Sequence, residues 1–526
     1  MNYKGCLFRS LCARSSTDRV PGFGPGGWGF ESSRAYNLSL FMKYLIPEEV
    51  ENIVFTLTEK GYKAYLVGGC VRDLLLDKKP KDWDITTDAK PEDIQNVFPE
   101  NVYENKFGTV AVKTESEDKT LKIVEVTTFR VESKYSDKRH PDEVRFAETI
   151  EEDLSRRDFT VNAIALDIQS GKLIDPYKGQ KDLKGKLIRT VGNPEKRFNE
   201  DALRLMRAAR FAIELGFEIE KKTKKIIEEK AILLEMIAKE RIRDEFVKII
   251  ITDRANEGVC LLENLGLLKY IIPELREGIG CDQAKHHIYT VWKHGVLSLK
   301  YAVECNFSLK IRLAALLHDI GKPRTKEGEG EEMTFYNHEI VGAKMTAQIM
   351  DRLKFSKKLA EDIIHLVRYH LFYYNVGEVT ESGVRRFLRR VGPEYIDDLI
   401  KLRKADRIGS GVPKAFPYSL RHLLFMIEKV KRDPISTSML KIDGDEIMKI
   451  TGIEPGPKVG WVLNTLIEEV LDSPEKNNKE YLTKQVKKIV EFPEEEIKRK
   501  AETGKDKVEE FEKGIERELK EKYHVK

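Results

Sequence analysis

The spacing of apolar and polar residues divides this chain into a mixed front and a helical back. Apolar positions recur at helical spacing from Ile46 to Lys60, and Gly61 predicts the stop. Ala64–Val67 reads as a short strand, followed by the Gly68-Gly69 turn and the segment Cys70–Leu76. Beyond a Lys/Pro turn, a strand through Asp82-Trp83-Asp84-Ile85 would place Asp82 and Asp84 on one face and Trp83 and Ile85 on the other. A short helix over Glu92–Phe98 and two strands, Thr109–Lys113 and Leu121–Arg130, complete this front part. Residues 131–153 are polar, and after Gly192-Asn193-Pro194 the pattern is almost wholly helical. The expected class is therefore α+β, with a small mixed sheet first and helices after it.

Composition narrows the classes. A chain of 526 residues divides into roughly three or four domains. Lys and Arg number 92 against 88 Asp and Glu, so any nucleic-acid surface is a local patch and not a global field. Six cysteines without a CxxC pair argue against a thiolate zinc site and for a reducing compartment. No apolar run approaches the roughly 20 residues of a membrane span, and a cytoplasmic protein without a membrane partner is expected. Residues 1–41 differ from the rest, being rich in Gly, Ser, Arg and aromatics. They can be read as a targeting peptide, a disordered arm or the translation of a transfer-RNA gene, because Phe30-Glu31-Ser32 matches a T-arm sequence. The last reading makes Met42 the start and leaves 1–41 without function.

Several stretches carry candidate chemistry. Gly68 and Gly69 allow a sharp turn that offers backbone N–H groups to an anion. Two carboxylates on one face, Asp82 and Asp84, suit a pair of divalent ions for phosphoryl transfer. Glu125, between Val124 and Val126, is an acid in a β-branched run, which fits a third member of that site or an edge strand facing water. Arg156-Arg157-Asp158, with Asn162, can grip a triphosphate and a ribose, or can be ordinary charges at a helix start. Asp201 and Arg204, three apart with Arg207 adjoining, can read a nucleobase edge as a base pair would, or can form a simple salt bridge. Farther on, His294, His318-Asp319 and Asp406 are ligands for one or two divalent metals that activate water against a phosphoester. The Gly456-Pro457-Lys458 turn can expose N–H groups to RNA phosphates or merely join helices. Residues 486–526, rich in Lys and Glu, predict a solvated or frayed helix.

In order and spacing, LVGGCVRD with Asp82 and Asp84, VEVTTFR, SRRDFTVNA and RFNEDALRLMRAARF resemble the class II tRNA nucleotidyltransferase and poly(A) polymerase family. The resemblance covers about residues 42–270. It implies a polymerase-β-like nucleotidyltransferase head followed by an all-helical neck, body and tail. It implies that Asp82 and Asp84 bind Mg2+, with Glu125 as the neighbouring acid. Gly68, Gly69 and Arg72 would contact the triphosphate, and Arg157, Asp158 and Asn162 the ribose and phosphates. Glu200, Asp201 and Arg204, with Arg207, would select CTP or ATP, and 131–153 would be the loop that switches between C and A addition. The H…HD…D series resembles HD-domain phosphohydrolases, in which His338 and His370 match the extra ligands of two-metal members, Lys322 is a phosphate contact, and the ion is Mn, Ni, Co or Fe. The C-terminal part around Lys458 resembles the segment that holds the tRNA body.

The expected divisions are a leader at 1–41, a head at 42–178, a neck at 179–275, an HD domain at 276–410, RNA-binding helices at 411–485 and a charged tail at 486–526. The expected activity is CCA addition to tRNA from CTP and ATP, with phosphatase or phosphodiesterase activity at the HD site. Poly(A) or A-only addition on the same scaffold is the alternative, and an RNA-end phosphohydrolase with a merely RNA-binding front half is the rival from another class. Oligomeric state is not legible.

Overall fold

The computed structural model describes residues 46–103, 108–133, 143–283, 288–431 and 437–526. The leader at 1–41 and the middle of the polar 131–153 segment lie outside the described residues. The described residues form two compact units, one built from those between 46 and 133, 143–185 and 189–192, the other mainly from those between 193 and 526.

The first unit is organised on a seven-stranded sheet. Its strands are β1 (Ala64–Val67), β2 (Asp84–Thr87), β3 (Asn101–Tyr103), β4 (Thr109–Lys113), β5 (Ile123–Thr128), β8 (Ala165–Leu166) and β9 (Leu173–Ile174), in the order β3-β4-β5-β2-β1-β8-β9. β6 (Arg130–Ser133) and β7 (Glu143–Phe146) form a separate antiparallel pair. Only β2 and β5 run parallel; the other neighbours in the large sheet are antiparallel. β5 alternates as a half-covered strand should, with Val124, Val126 and Thr128 buried and Ile123 and Glu125 exposed. The helices Glu48–Glu59, Gly69–Leu75 and Pro91–Val97 belong to this unit. A cluster of Val67, Phe129, Ile150, Leu154, Ala163 and Ala165 ties β1 and β8 to the helix Ile150–Ser155.

Two sequence expectations are revised here. The predicted strand Leu121–Arg130 stops at Thr128, and Arg130–Ser133 pairs elsewhere. β2 begins at Asp84, so Asp82 sits on the bend that enters the strand.

The described part of the second unit is helical apart from the two-residue parallel pair β10 (Leu187–Ile188) and β11 (Glu218–Ile219) and an isolated antiparallel bridge between Glu327 and Thr334. At its end, the Lys/Glu-rich helix Glu494–Tyr523 is not a frayed extension. Ile497 and Ala501 are buried, Ile497 joins the apolar cluster of Val462, Leu466 and Leu482, and Leu519 packs with Phe425 and Val525. A sparse stripe suffices because the opposite face is solvated and charged.

Candidate active site and metal centre

Gly68 links β1 to the helix Gly69–Leu75 at φ +83°, a conformation that disfavours any side chain. A Cβ there would lie 2.9 Å from Arg157 Nη1 and 3.4 Å from Asp84 Oδ2, so the glycine makes room for both groups. That helix has seven residues and is too short to carry an anion cradle alone; Arg72 and Arg157 supply positive charge beside it. Arg72 Nη1 donates to Asn162 Oδ1 at 2.8 Å, and its Nε donates to Asp73 at 2.8 Å. Asp158 Oδ1 accepts from the Phe159 amide at 2.8 Å and from Asn162 Nδ2 at 3.4 Å. The 3-10 turn Thr160–Asn162 thus brings Asn162 between Arg72 and Asp158.

Asp84 and Glu125 stand opposite each other in the parallel β2–β5 ladder, so their side chains leave the same face of the sheet. β5 lies inside the sheet, which removes the edge-strand reading of Glu125. Trp83 turns into the core, as expected. Burial raises the Asp84 carboxyl above its ordinary range; Arg157 opposes this and Asp82 adds to it. Neighbouring carboxylates that repel one another, with hard oxygen donors, fit a divalent cation such as Mg2+. Cys70 lies beneath, fully buried, and burial pushes its thiol up to about 12, so it is an inert packing residue.

The residues expected to read the nucleobase are arranged differently from expectation. The helix Pro194–Glu200 ends at Asp201, and a new helix begins at Arg204, so Asp201 and Arg204 do not share one helix face. Arg204 Nη1 donates to Glu200 Oε2 at 2.7 Å and to the Arg197 carbonyl at 3.2 Å. Asp201 instead receives Arg241 at 3.3 and 2.9 Å and caps the following turn through the Leu203 amide at 3.0 Å. Arg207 Nη1 lies 3.9 Å from Glu245. Arg241 has no signal in the sequence, being 40 residues from its partner. Asp153 is also new: it is fully buried and anchors Arg156 at 2.9 Å and Arg157 at 3.4 Å. Its i,i+3 and i,i+4 spacing was legible. Lys458 lies in the first turn of the helix Pro457–Asp472, after Gly456, as expected from the turn.

The helical unit brings all six expected metal ligands together. His294 comes from the helix Val291–Glu304 and Asp406 from Ile396–Gly409. His318 and His370 cap the ends of Leu309–Leu317 and Lys357–Tyr369, and His338 opens His338–Arg352. Gly409 lets two of these helices meet, since a Cβ there would lie 2.9 Å from the His294 carbonyl. His294, His318 and Asp406 form one buried group, and Asp319, His338 and His370 another. Asp319 joins them: Oδ2 lies 3.1 Å from His294 Nε2 and 3.4 Å from His318 Nε2, while Oδ1 lies 3.4 Å from His338 and 3.5 Å from His370.

The surroundings prepare these ligands. The Nδ1 atoms of His318, His338 and His370 face the carbonyls of Ala315, Phe335 and Val367 at 2.9, 2.8 and 2.7 Å, so Nδ1 is the donor to the backbone and Nε2 is the atom turned toward a metal ion. Lys322 Nζ donates to Asp319 Oδ2 at 2.6 Å and to Gln283 at 2.7 Å, and Arg403 holds Asp406 Oδ2 at 2.7 Å. Burial works against a charged His318, yet Asp319 and Asp406 more than offset it and push the imidazole up to about 10. The donor set therefore fits positive charge, and imidazole with carboxylate suits a divalent metal ion in either group.

Three family models match successive stretches of the chain. A poly A polymerase head domain matches residues 64–189, a probable RNA and SrmB-binding site of polymerase A matches 216–279, and an HD domain matches 286–409. A CCA-adding enzyme of Lactobacillus helveticus is 33% identical over 434 residues, covering 82% of this chain and 94% of the relative. The chain belongs to the tRNA nucleotidyltransferase and poly(A) polymerase family and carries a fused HD domain. An A-adding tRNA nucleotidyltransferase of Deinococcus radiodurans is 37% identical, covering 61% of this chain and 75% of the relative. Among solved structures, a Bacillus stearothermophilus CCA-adding enzyme in complex with CTP matches with a TM-score of 0.51 at 28% identity, covering 85% of this chain and 97% of that one. Members of the nucleotidyltransferase and HD families depend on metal ions, and both donor sets here suit that dependence. Among the described residues, no helix is long and apolar enough to cross a membrane.

Proposed function

We propose that this member of the family adds CCA to the 3′ end of tRNA from CTP and ATP without a nucleic-acid template. The observation that carries the reading is the in-register pair Asp84 and Glu125 with Asp82 at the strand entrance. Family membership supplies the reaction class. Asp82 and Asp84, beside Glu125, hold Mg2+, which when bound neutralises charge developing on the phosphates. The Gly68-Gly69 turn and Arg72 seat the triphosphate, and Arg157, Asp158 and Asn162 orient the ribose and phosphates. The RNA 3′-oxygen forms a bond to the α-phosphorus, the bond to the β-phosphate bridge breaks, pyrophosphate leaves with the electron pair, and the hydroxyl proton is released. Glu200, Asp201, Arg204 and Arg207 present the donors and acceptors that select the base. Lys458 contacts RNA phosphate, and the cysteine usage and tRNA substrate suit the cytoplasm.

The Deinococcus radiodurans relative supports a second reading, A-only addition. Labelled CTP and ATP, given separately and together, decide between them on tRNA ending at the discriminator base or at CC, with an unrelated oligonucleotide as control. Two C and one A added only to tRNA is the expected outcome; A added only to tRNA-CC selects the second reading, and long A tails on any RNA select poly(A) synthesis. Asp82→Ala with Asp84→Ala should lower incorporation by about 10²–10³-fold or more.

The HD centre is assigned to metal-dependent phosphoester hydrolysis, with Mn, Ni, Co or Fe held by His294, His318, Asp319, His338, His370 and Asp406 and with Lys322 as a phosphate contact. Phosphate release from simple phosphoesters, dependent on one of these ions, tests it. Retention of that release in the Asp82→Ala/Asp84→Ala chain would separate the two centres.

A further inference from the structure

Asp153, on the helix Ile150–Ser155, is a fully buried carboxylate outside the residues assigned to nucleotide or metal. Its Oδ1 accepts from Arg156 Nε at 2.9 Å, with Nη2 at the same distance, and from the Arg130 amide at 3.3 Å, where β6 begins. Its Oδ2 accepts from Arg157 Nη2 at 3.4 Å. Burial alone would raise the Asp153 carboxyl, but the two guanidiniums outweigh it and hold the carboxyl below its ordinary range, so the group carries its charge. The other arm of the Arg157 guanidinium, Nη1, lies 2.9 Å from the point where a Cβ on Gly68 would stand, and Asp84 Oδ2 lies 3.4 Å from that same point. Arg157 also opposes the burial that raises the Asp84 carboxyl. Its Nε is buried and finds no acceptor among the described residues. A guanidinium placed for its own satisfaction would pair that donor; this one is set by Asp153 on one side and Asp84 on the other.

We propose that Asp153 is a positioning residue for nucleotidyl transfer, holding the Arg157 guanidinium at Gly68 and beside Asp84, where the incoming triphosphate binds. The proposal rests on the reading of Arg157 as a nucleotide contact. One arm of the guanidinium is fixed by Asp153 and the other is left for a phosphate oxygen, so the donor is oriented before the nucleotide arrives. Such preorganisation lowers the cost of binding, because the side chain has less freedom left to lose. A neutral residue at 153 leaves Arg157 charged but free to rotate away from Gly68. The Arg130 amide brings the start of β6 to the same carboxylate, so the hairpin of β6 and β7 is tied to the group that orients Arg157.

The full chain with Mg2+ is assayed for incorporation of labelled ATP on tRNA ending at CC, a step common to CCA addition and A-only addition. Asp153→Asn should raise the KM for ATP by about tenfold with the KM for tRNA unchanged, and Asp153→Glu, which keeps the charge, should lose less. Arg157→Met should raise the KM for ATP at least as much. Adding Asp153→Asn to Arg157→Met should then cost less than about twofold, because a residue that acts through Arg157 has nothing left to position. Equal KM values for ATP in wild type and Asp153→Asn, or full additivity of the two changes, overturn the proposal while leaving the Arg157 contact standing. If Arg157→Met leaves the KM for ATP unchanged, the contact reading fails and the proposal falls with it. Equilibrium dialysis of labelled ATP with Mg2+ and no tRNA makes the same comparison for binding, so it decides the matter even if wild type incorporates nothing; equal binding by wild type and Asp153→Asn overturns the proposal there too. If Asp153→Asn misfolds with two unopposed guanidiniums, Asp153→Asn with Arg156→Met removes one of them, and measured against Arg156→Met it should show the same rise of about tenfold.

Discussion

Asp201 is held by Arg241, whose two Nη groups lie 3.3 and 2.9 Å from its carboxylate oxygens. The residue expected to read the base is thus oriented by a side chain from another helix. Arg241→Ala should free Asp201 to rotate and lower discrimination among CTP, ATP and the other nucleotides by about tenfold or more, because one lost charge-assisted bond is worth that much. Single-nucleotide kcat/KM values measure it. Equal discrimination in the variant would mean that Arg241 only stabilises the fold.

Gly68→Ala tests the tight turn. The positive φ costs about 1–2 kcal/mol for an alanine, and the new Cβ would press on Arg157 at 2.9 Å. Incorporation should fall through a raised KM for nucleotide, by about tenfold or more. Thermal unfolding should show only a small loss of stability.

Asp319 lies within 3.5 Å of the histidines of both buried groups, whereas His370 belongs to one. Metal analysis of Mn2+-reconstituted protein should therefore give about two ions in wild type, one in His370→Ala and none firmly held in Asp319→Ala. Loss of one ion only in Asp319→Ala would argue against the bridging role.

A pH effect follows from Glu274, which receives Arg352 through two 2.7 Å bonds. Burial alone would raise the Glu274 carboxyl, but the Arg352 guanidinium holds it below its ordinary 4.5. Because the folded value is lower than the unfolded one, this contribution is complete above the unfolded value and is lost as pH falls through the folded value. Arg352 is 36% exposed. Solvent screening therefore limits the cost of Arg352→Met at neutral pH to about 1–2 kcal/mol. Urea unfolding should show the gap between variant and wild type closing as the pH drops below about 4.5.

Local elements and donor types are legible in the order of residues along the chain. Gly68-Gly69 had to be a turn, Val124-Glu125-Val126 a half-covered strand, and the His-Asp pair with its outlying histidines a ligand series, because each depends on spacing within a few residues. The six ligands His294, His318, Asp319, His338, His370 and Asp406 were legible as residues, and their convergence followed only when five helices packed. The strand order was decided by tertiary structure, and with it the pairing of Asp84 with Glu125, since a parallel neighbour is chosen by packing and not by adjacency. The break between Glu200 and Arg204 escaped the pattern because helical spacing continues across it, and the Arg241 guanidinium, brought from another helix, joins the Leu203 amide in holding Asp201 outside the helix. The final helix shows the same limit: few apolar residues predict solvation, but one stripe is enough when the rest of the chain supplies a face to cover it.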